Sequence, residues 1–306
     1  MKASEPATRQ RWGRALVPAL PFVWLTVFFL LPFLIVVKIS LSDPATAQPP
    51  YRPVFAGFGL DRMRAFVEAL DFENFSTLLS DDLYLQAALS SLRIAAISTA
   101  LLLLIGYPMA YAMARAQHRW RTLLVALVIL PFWTSFLIRV YAWIGILKPD
   151  GLLNQALLGL GLVTEPLAIL NTETAVFIGV VYAYLPFMVL PLYATLERLD
   201  MTLIEAAQDL GCPPTRAFWS ITLPLSMPGI VAGSLLCFIP IVGEFVIPDL
   251  LGGSETLMIG RTLWSEFFSN RDWPLASAVA VVMLLILVVP IVIYREIESR
   301  RFEAAR

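Results

Sequence analysis

Charge is scarce in this chain: 15% of its 306 residues are Asp, Glu, Lys or Arg, while 58% are hydrophobic and the mean hydropathy is +0.76. That balance describes a protein of the bilayer and excludes an ordinary pair of soluble domains. Histidine occurs once, at His118, which excludes a multi-histidine metal site. Cys212 and Cys237 are the only cysteines; their segments read as cytosolic and intramembrane, so there is no disulfide framework. Lysine is confined to Lys2, Lys38 and Lys148, none of them in a GxxxxGK[ST] pattern. The chain therefore has no phosphate-binding loop, and any ATP hydrolysis that drives it falls to another subunit. A net charge of −1 supplies no basic footprint for nucleic acid.

What the chain does have is long apolar runs. A crossing needs about 20 apolar residues, because the hydrocarbon core is roughly 30 Å thick and a helix rises about 1.5 Å per residue. Six stretches reach that length: Ala15 to Val37, Ile94 to Ala114, Leu123 to Leu147, Thr174 to Leu196, Gly229 to Leu251 and Leu275 to Tyr294. They predict an all-α integral membrane protein with six transmembrane helices. Arg139 falls inside the third and Glu244 inside the fifth. Arg9, Arg11 and Arg14 precede the first run and Ala45-Thr46-Ala47 loosely resembles a cleavage site, but the run is longer than the roughly 7 to 15 apolar residues of a signal peptide. It is read as an uncleaved helix.

Orientation follows from where Lys and Arg cluster. With the N-terminus inside, the cytosolic segments hold 13 basic and 8 acidic residues, against 9 basic and 15 acidic elsewhere. The loop carrying Arg115, Arg119 and Arg121 has no acid at all. Both termini are thus expected in the cytosol, as tails 1–14 and 295–306 flanking a membrane domain over 15–294. The outer segment 41–91 reads as a proline-rich extended lead followed by one or two short helices near Leu60 to Leu70.

The segment 197–228 is expected on the cytosolic side and is heavily punctuated. Thr202 and Glu205 stand at the spacing of a capping box. Leu203, Ala206, Ala207 and Leu210 form an apolar stripe. Gly211 is placed to end that helix in a left-handed cap, and Pro213 and Pro214 prevent its continuation. A second helix starts at Pro214, with Ala217, Phe218 and Ile221 on one face, and Pro224 is expected to stop it.

Glu205, Ala206, Ala207, Gly211, Ile221, Leu223 and Pro224 together resemble the EAA loop of ABC importer permeases, at that family's spacing. The run Leu130 to Trp143, the segment Gly243 to Gly253 and the segment Asn270 to Pro274 resemble polyamine permeases of the same superfamily, and the likeness extends from about Leu20 to Tyr294. The resemblance implies a type I importer permease fold in a bacterial inner membrane. It also implies a second, non-identical permease, a pair of cytosolic ATPases that bind ATP and Mg, and a periplasmic polyamine-binding protein. The chain itself would carry no cofactor and no catalytic residue. Putrescine is the implied substrate, with spermidine as the second reading. Another small organic solute, or a secondary transporter working alone, are the rival readings. An intramembrane enzyme finds no paired carboxylates and no Ser/His arrangement to rest on.

Ionisable side chains at membrane depth cost about 2.5 to 3.5 kcal/mol at the centre on insertion scales, so they face a cavity or a partner. Glu244 and Arg139 lie about 22 Å and 24 Å along their helices from the inner side, which predicts either an ion pair between them or a Glu244 that meets a substrate ammonium. Tyr141, Trp143, Tyr182, Tyr184 and Phe245 offer ring faces to the same cation, and Asp249 stands near the outer mouth.

Overall fold

The computed structural model describes residues 19–54 and 60–304, with the side chains at 60–63, 290, 291 and 293–304 excepted. The expected tail 1–14 lies outside the described residues. In chain order the elements are α1 (Ala19–Ser40), β1 (Asp43–Pro44), β2 (Tyr51–Arg52), α2 (Leu60–Glu68), α3 (Glu73–Ser80), α4 (Asp82–Arg115), α5 (His118–Ile129), α6 (Phe136–Leu147), α7 (Leu152–Gly159), α8 (Glu173–Glu197), α9 (Thr202–Asp209), α10 (Pro214–Val242), α11 (Val246–Leu251), α12 (Ile259–Trp264) and α13 (Trp273–Ala304).

Among the described residues, four helices are long and apolar enough to cross a membrane: α1, α4, α8 and α10. The predicted third span is not one helix. His118–Trp133 and Phe136–Gly159 meet at a bend of 89°. A 3-10 turn over Leu130–Trp133 and an extended Thr134 (ψ 153) interrupt the run. Hydropathy sees the apolar text but not this corner, which Pro131 favours by lacking an amide donor. The predicted fifth span also ends early, at Val242, and Glu244 sits in the break before α11. The apolar part of α13, Trp273–Val289, is a shorter run. In the other direction α4 starts at Asp82, twelve residues before the predicted span, and at 34 residues it is about 51 Å long.

The chain divides into two compact units. One comprises residues 1–82 and 265–306. Here α13 packs on α1 and α3, and β1 and β2 form a two-residue antiparallel ladder, Asp43 opposite Arg52 and Pro44 opposite Tyr51. Lys38 donates to the Pro53 carbonyl and lies 4.2 Å from the Tyr51 ring centroid. Buried Asn74 donates to the carbonyls of Ser40 and Ser42, tying α3 to the end of α1. Burial, followed by the charge and hydrogen bond of Asp71, raises the Asp43 carboxyl above the ordinary carboxylate range.

The second unit runs from Leu83 to Trp264. Its core is built around α8, whose Val176, Val180, Met188, Val189 and Leu192 are fully buried. Pro186 and Pro191 lie inside α8 without ending it. Met188 fills a notch between α4 and α10: a Cβ at Gly106 would lie 2.9 Å from its Cγ, and one at Gly233 would lie 2.9 Å from its Sδ. Gly229 and Gly233 form a small-xxx-small pair, which lets α10 approach α8 at backbone distance. Arg93 reaches both carboxylate oxygens of Glu173 at 2.8 Å, joining α4 to the first turn of α8.

Candidate functional site

The segment 197–228 folds as two short helical pieces whose ends are chemically specified. The predicted capping box is not formed. Asp200 Oδ1 instead accepts the Thr202 amide at 3.0 Å and the Thr202 hydroxyl at 2.9 Å, because a carboxylate is the stronger acceptor for a helix-start donor. The C-terminal cap is formed as read. Gly211 has φ +83, its amide donates to the Gln208 carbonyl at 2.8 Å, and the Cys212 amide donates to the Ala207 carbonyl at 3.0 Å. This is the paired pattern of a Schellman cap.

Pro214 takes the first position of α10, as expected. Pro224 does not stop the helix. A π-turn over Phe218–Thr222 precedes it, with the Leu223 amide donating to the Phe218 carbonyl. Such a bulge absorbs one extra residue, so the chain can carry a proline and continue. The predicted face of Ala217, Phe218 and Ile221 turns inward, Ala217 being 1% exposed. The predicted stripe on α9 does the opposite: Leu203 is 48% and Leu210 90% exposed, and only Ile204 is buried. Glu205 and Ala206 are exposed, Ala207 half-buried. This stripe therefore serves no internal core.

Glu244 is buried in the Gly243–Phe245 break at 8% exposure. Its Oε2 accepts the Tyr184 hydroxyl at 2.6 Å, and its Oε1 accepts the amides of Val246 at 3.0 Å and Ile247 at 3.4 Å. The carboxylate thus caps α11 while α8 holds it through Tyr184. Gly260 abuts the same break: a Cβ there would lie 2.4 Å from the Gly243 carbonyl oxygen.

The structure does not pair Arg139 with Glu244. The estimate of equal depth assumed a straight third helix, and the 89° corner removes that premise. The Arg139 guanidinium lies over Phe132 at 5.4 Å and Phe136 at 5.8 Å, and its Nε and Nη1 are buried without a hydrogen-bond partner. Of the five aromatic candidates only Tyr184 bonds Glu244. Trp143 packs edge-on against Tyr182 at 5.4 Å, Phe245 stacks on Trp264 at 4.4 Å, and Tyr141 is exposed. Asp249 is paired with Arg261 at 3.2 Å. Sequence reasoning missed Ser226, Tyr107 and the Gly229/Gly233 pair. The last of these was open to detection as a GxxxG string.

Among the described residues, four helices long and apolar enough to cross a membrane, one of them ending just before a buried carboxylate, define a multi-pass membrane protein. The chain belongs to the family of binding-protein-dependent transport system inner membrane components, which matches residues 102–302. It is a helical permease of the ABC importer type, an inner-membrane transport component.

Among individual proteins, it is 41% identical over 276 residues to the spermidine/putrescine transport system permease protein PotB of Haemophilus influenzae, covering 90% of this chain and 91% of that one. It is 39% identical over 272 residues to PotB of Escherichia coli, covering 89% and 92%. Its fold is shared with a bacterial ABC transporter involved in the import of the acidic polysaccharide alginate, at 18% identity and a TM-score of 0.67 over 96% of both chains.

Proposed function

We propose that this chain is one of two non-identical membrane subunits of an ATP-driven importer of spermidine and putrescine, with putrescine as the favoured substrate. It performs no chemistry. A periplasmic binding protein delivers the polyamine, and a pair of cytosolic ATPase subunits, which hold the ATP and Mg, closes against the segment 197–228. Six crossings place both termini and this segment in the cytosol. The broken pair around Thr134 counts as the third crossing and α13 as the sixth.

The observation that carries the reading is the exposed apolar face of α9. Outside any span, Leu203, Ala206 and Leu210 are exposed at i, i+3, i+7 on a helix whose ends are fixed by Asp200 and Gly211, and a contiguous exposed apolar face of this kind marks a protein contact. The substrate class is supported by the identity to PotB, whose name states spermidine and putrescine. Glu244 and Tyr184 supply a negative, hydrogen-bonding group beside a helix break, suited to an alkylammonium. Tyr141, Trp143, Tyr182, Phe245 and Asp249 are assigned to the wider lining of the route.

The test is ATP-dependent uptake of labelled putrescine by the importer reconstituted with its partners. Glu205→Ala combined with Gly211→Asp is expected to abolish uptake while the two permeases still copurify. Unchanged uptake overturns the role given to the segment.

A further inference from the structure

The segment 197–228 has to move something when its outer face is pushed, and the contacts on its inner side identify what. Phe218 begins the π-turn of α10 and points at α4. Its ring meets Tyr107 edge-on at 5.8 Å and 90°, and Tyr111 edge-on at 6.0 Å and 84°. These two tyrosines are one helical turn apart, so they straddle the Phe218 ring along the α4 axis. Arg115, one turn further on, lies 5.0 Å from the Tyr111 ring centroid. Tyr107 touches α10 a second time. Its hydroxyl is 3.0 Å from Ser226 Oγ in a buried contact, and Ser226 is fully buried. Phe218 and Ser226 bracket the irregular stretch of α10: the π-turn, Pro224, and the turn at Ser226 that precedes Met227.

An irregular stretch transmits displacement along its own helix poorly, because its hydrogen-bond ladder is broken and can re-register. A side chain wedged between two rings of a neighbouring helix transmits it well. The receiving helix also has a weak point at the right place. Pro108 lies inside α4 beside Tyr107, and a proline there removes the amide that would bond the Leu104 carbonyl.

We infer that Phe218, gripped by Tyr107 and Tyr111, is the joint that passes movement of the cytosolic segment into α4, with Pro108 as the hinge and the Tyr107–Ser226 hydrogen bond fixing the register of the two helices. Phe218 and Tyr107 are positioning residues. The inference rests on the coupling role proposed above for the segment 197–228.

The test uses the whole importer, with partner permease, ATPase and binding protein, in proteoliposomes. Phe218→Ala is expected to lower putrescine uptake more than tenfold while the ATPase still copurifies and ATP is still hydrolysed, so that hydrolysis per substrate imported rises. Tyr107→Phe, which keeps the ring and loses the hydroxyl, is expected to lower uptake about threefold. Should the alanine variant fail to assemble, Phe218→Leu decides by the same readout, since it keeps the apolar volume and removes the ring. Uptake within twofold of the parent in an assembled Phe218 variant overturns the inference. Leu210→Asp separates this failure from failure of the coupling reading. It is expected to lose the ATPase on copurification, and full retention of the ATPase there overturns that reading, whatever Phe218 does.

Discussion

At the scale of single residues, the route role proposed for Glu244 can be separated from its observed role as the cap of α11. Its carboxylate serves three donors, the Tyr184 hydroxyl and the amides of Val246 and Ile247. A carboxylate offers about four lone-pair sites, so one is left for an incoming ammonium. Glu244→Gln keeps an acceptor for the two amides and removes the charge. It is expected to lower putrescine uptake at least tenfold with little change in the unfolding temperature of the purified complex. Glu244→Ala strands two amides and the half-buried Tyr184 hydroxyl, each unsatisfied group costing about 1–3 kcal/mol when buried, so it is expected to lower the unfolding temperature as well. Uptake by the glutamine variant at the parent level would leave the carboxylate a cap and nothing more. Arg139 makes the contrast plain. Its charge is set over two phenylalanine rings and contributes no bond to Glu244, so these two ionisable residues are answered by different neighbours.

At the scale of elements, α4, α8 and α10 meet at one side chain. Met188 is fully buried and occupies the space that a Cβ would need at both Gly106 and Gly233. Gly233→Ala meets the Met188 carbonyl oxygen at 3.1 Å as well as its sulfur, and overpacking of this kind costs about 1–3 kcal/mol. Met188→Ala alone opens a cavity and costs about 2–5 kcal/mol. The double variant is expected to be more stable than the sum of the two losses, by about 0.5–3 kcal/mol of coupling, read from thermal unfolding of the three variants. Strict additivity would show that the helices do not meet through this contact. The helices themselves were legible in the sequence because α1, α4, α8 and the apolar half of α10 are continuous apolar text, and the Gly211 cap was legible because only its local backbone is involved. The break at Gly243 was legible in part, because Gly243 and the charged Glu244 stand between Pro240 and Pro248 inside the fifth run; the corner at Thr134 was not, since the summed hydropathy of its run says nothing of direction. The π-turn before Pro224 was not legible either, since no residue in Phe218–Thr222 is a helix breaker. Tyr184 and Glu244 were both picked out, but their pairing spans 60 residues of chain and is a product of packing.

At the scale of the whole molecule, the broken pair decides the topology by parity. With the N-terminus inside, α1 and α4 return the chain to the cytosol at Arg115. If the pair around the 89° corner crosses, residues 160–172 are outside, α8 brings the chain back, and the exposed stripe of α9 faces the cytosol, where an ATPase can reach it. If the pair instead dips in and returns, 160–172 stay inside and α8 carries α9 to the outer surface, where no ATP-driven partner exists. Arg198, Arg216, Arg295, Arg300, Arg301 and Arg306 favour the first arrangement, since the second would put them outside when α10 and α13 cross, and so does the EAA signature that begins in α9. The chain carries its own reporter for one side: Cys212 is half-exposed beside the Gly211 cap, while Cys237 is buried. A membrane-impermeant maleimide is expected to label Cys212 only after cells are permeabilised. In a Cys212→Ser background, Thr164→Cys places a thiol at an exposed position of the 160–172 loop and is expected to react in intact cells. Reversal of both patterns would mean that the corner is a re-entrant hairpin, and the coupling role of α9 would fall with it.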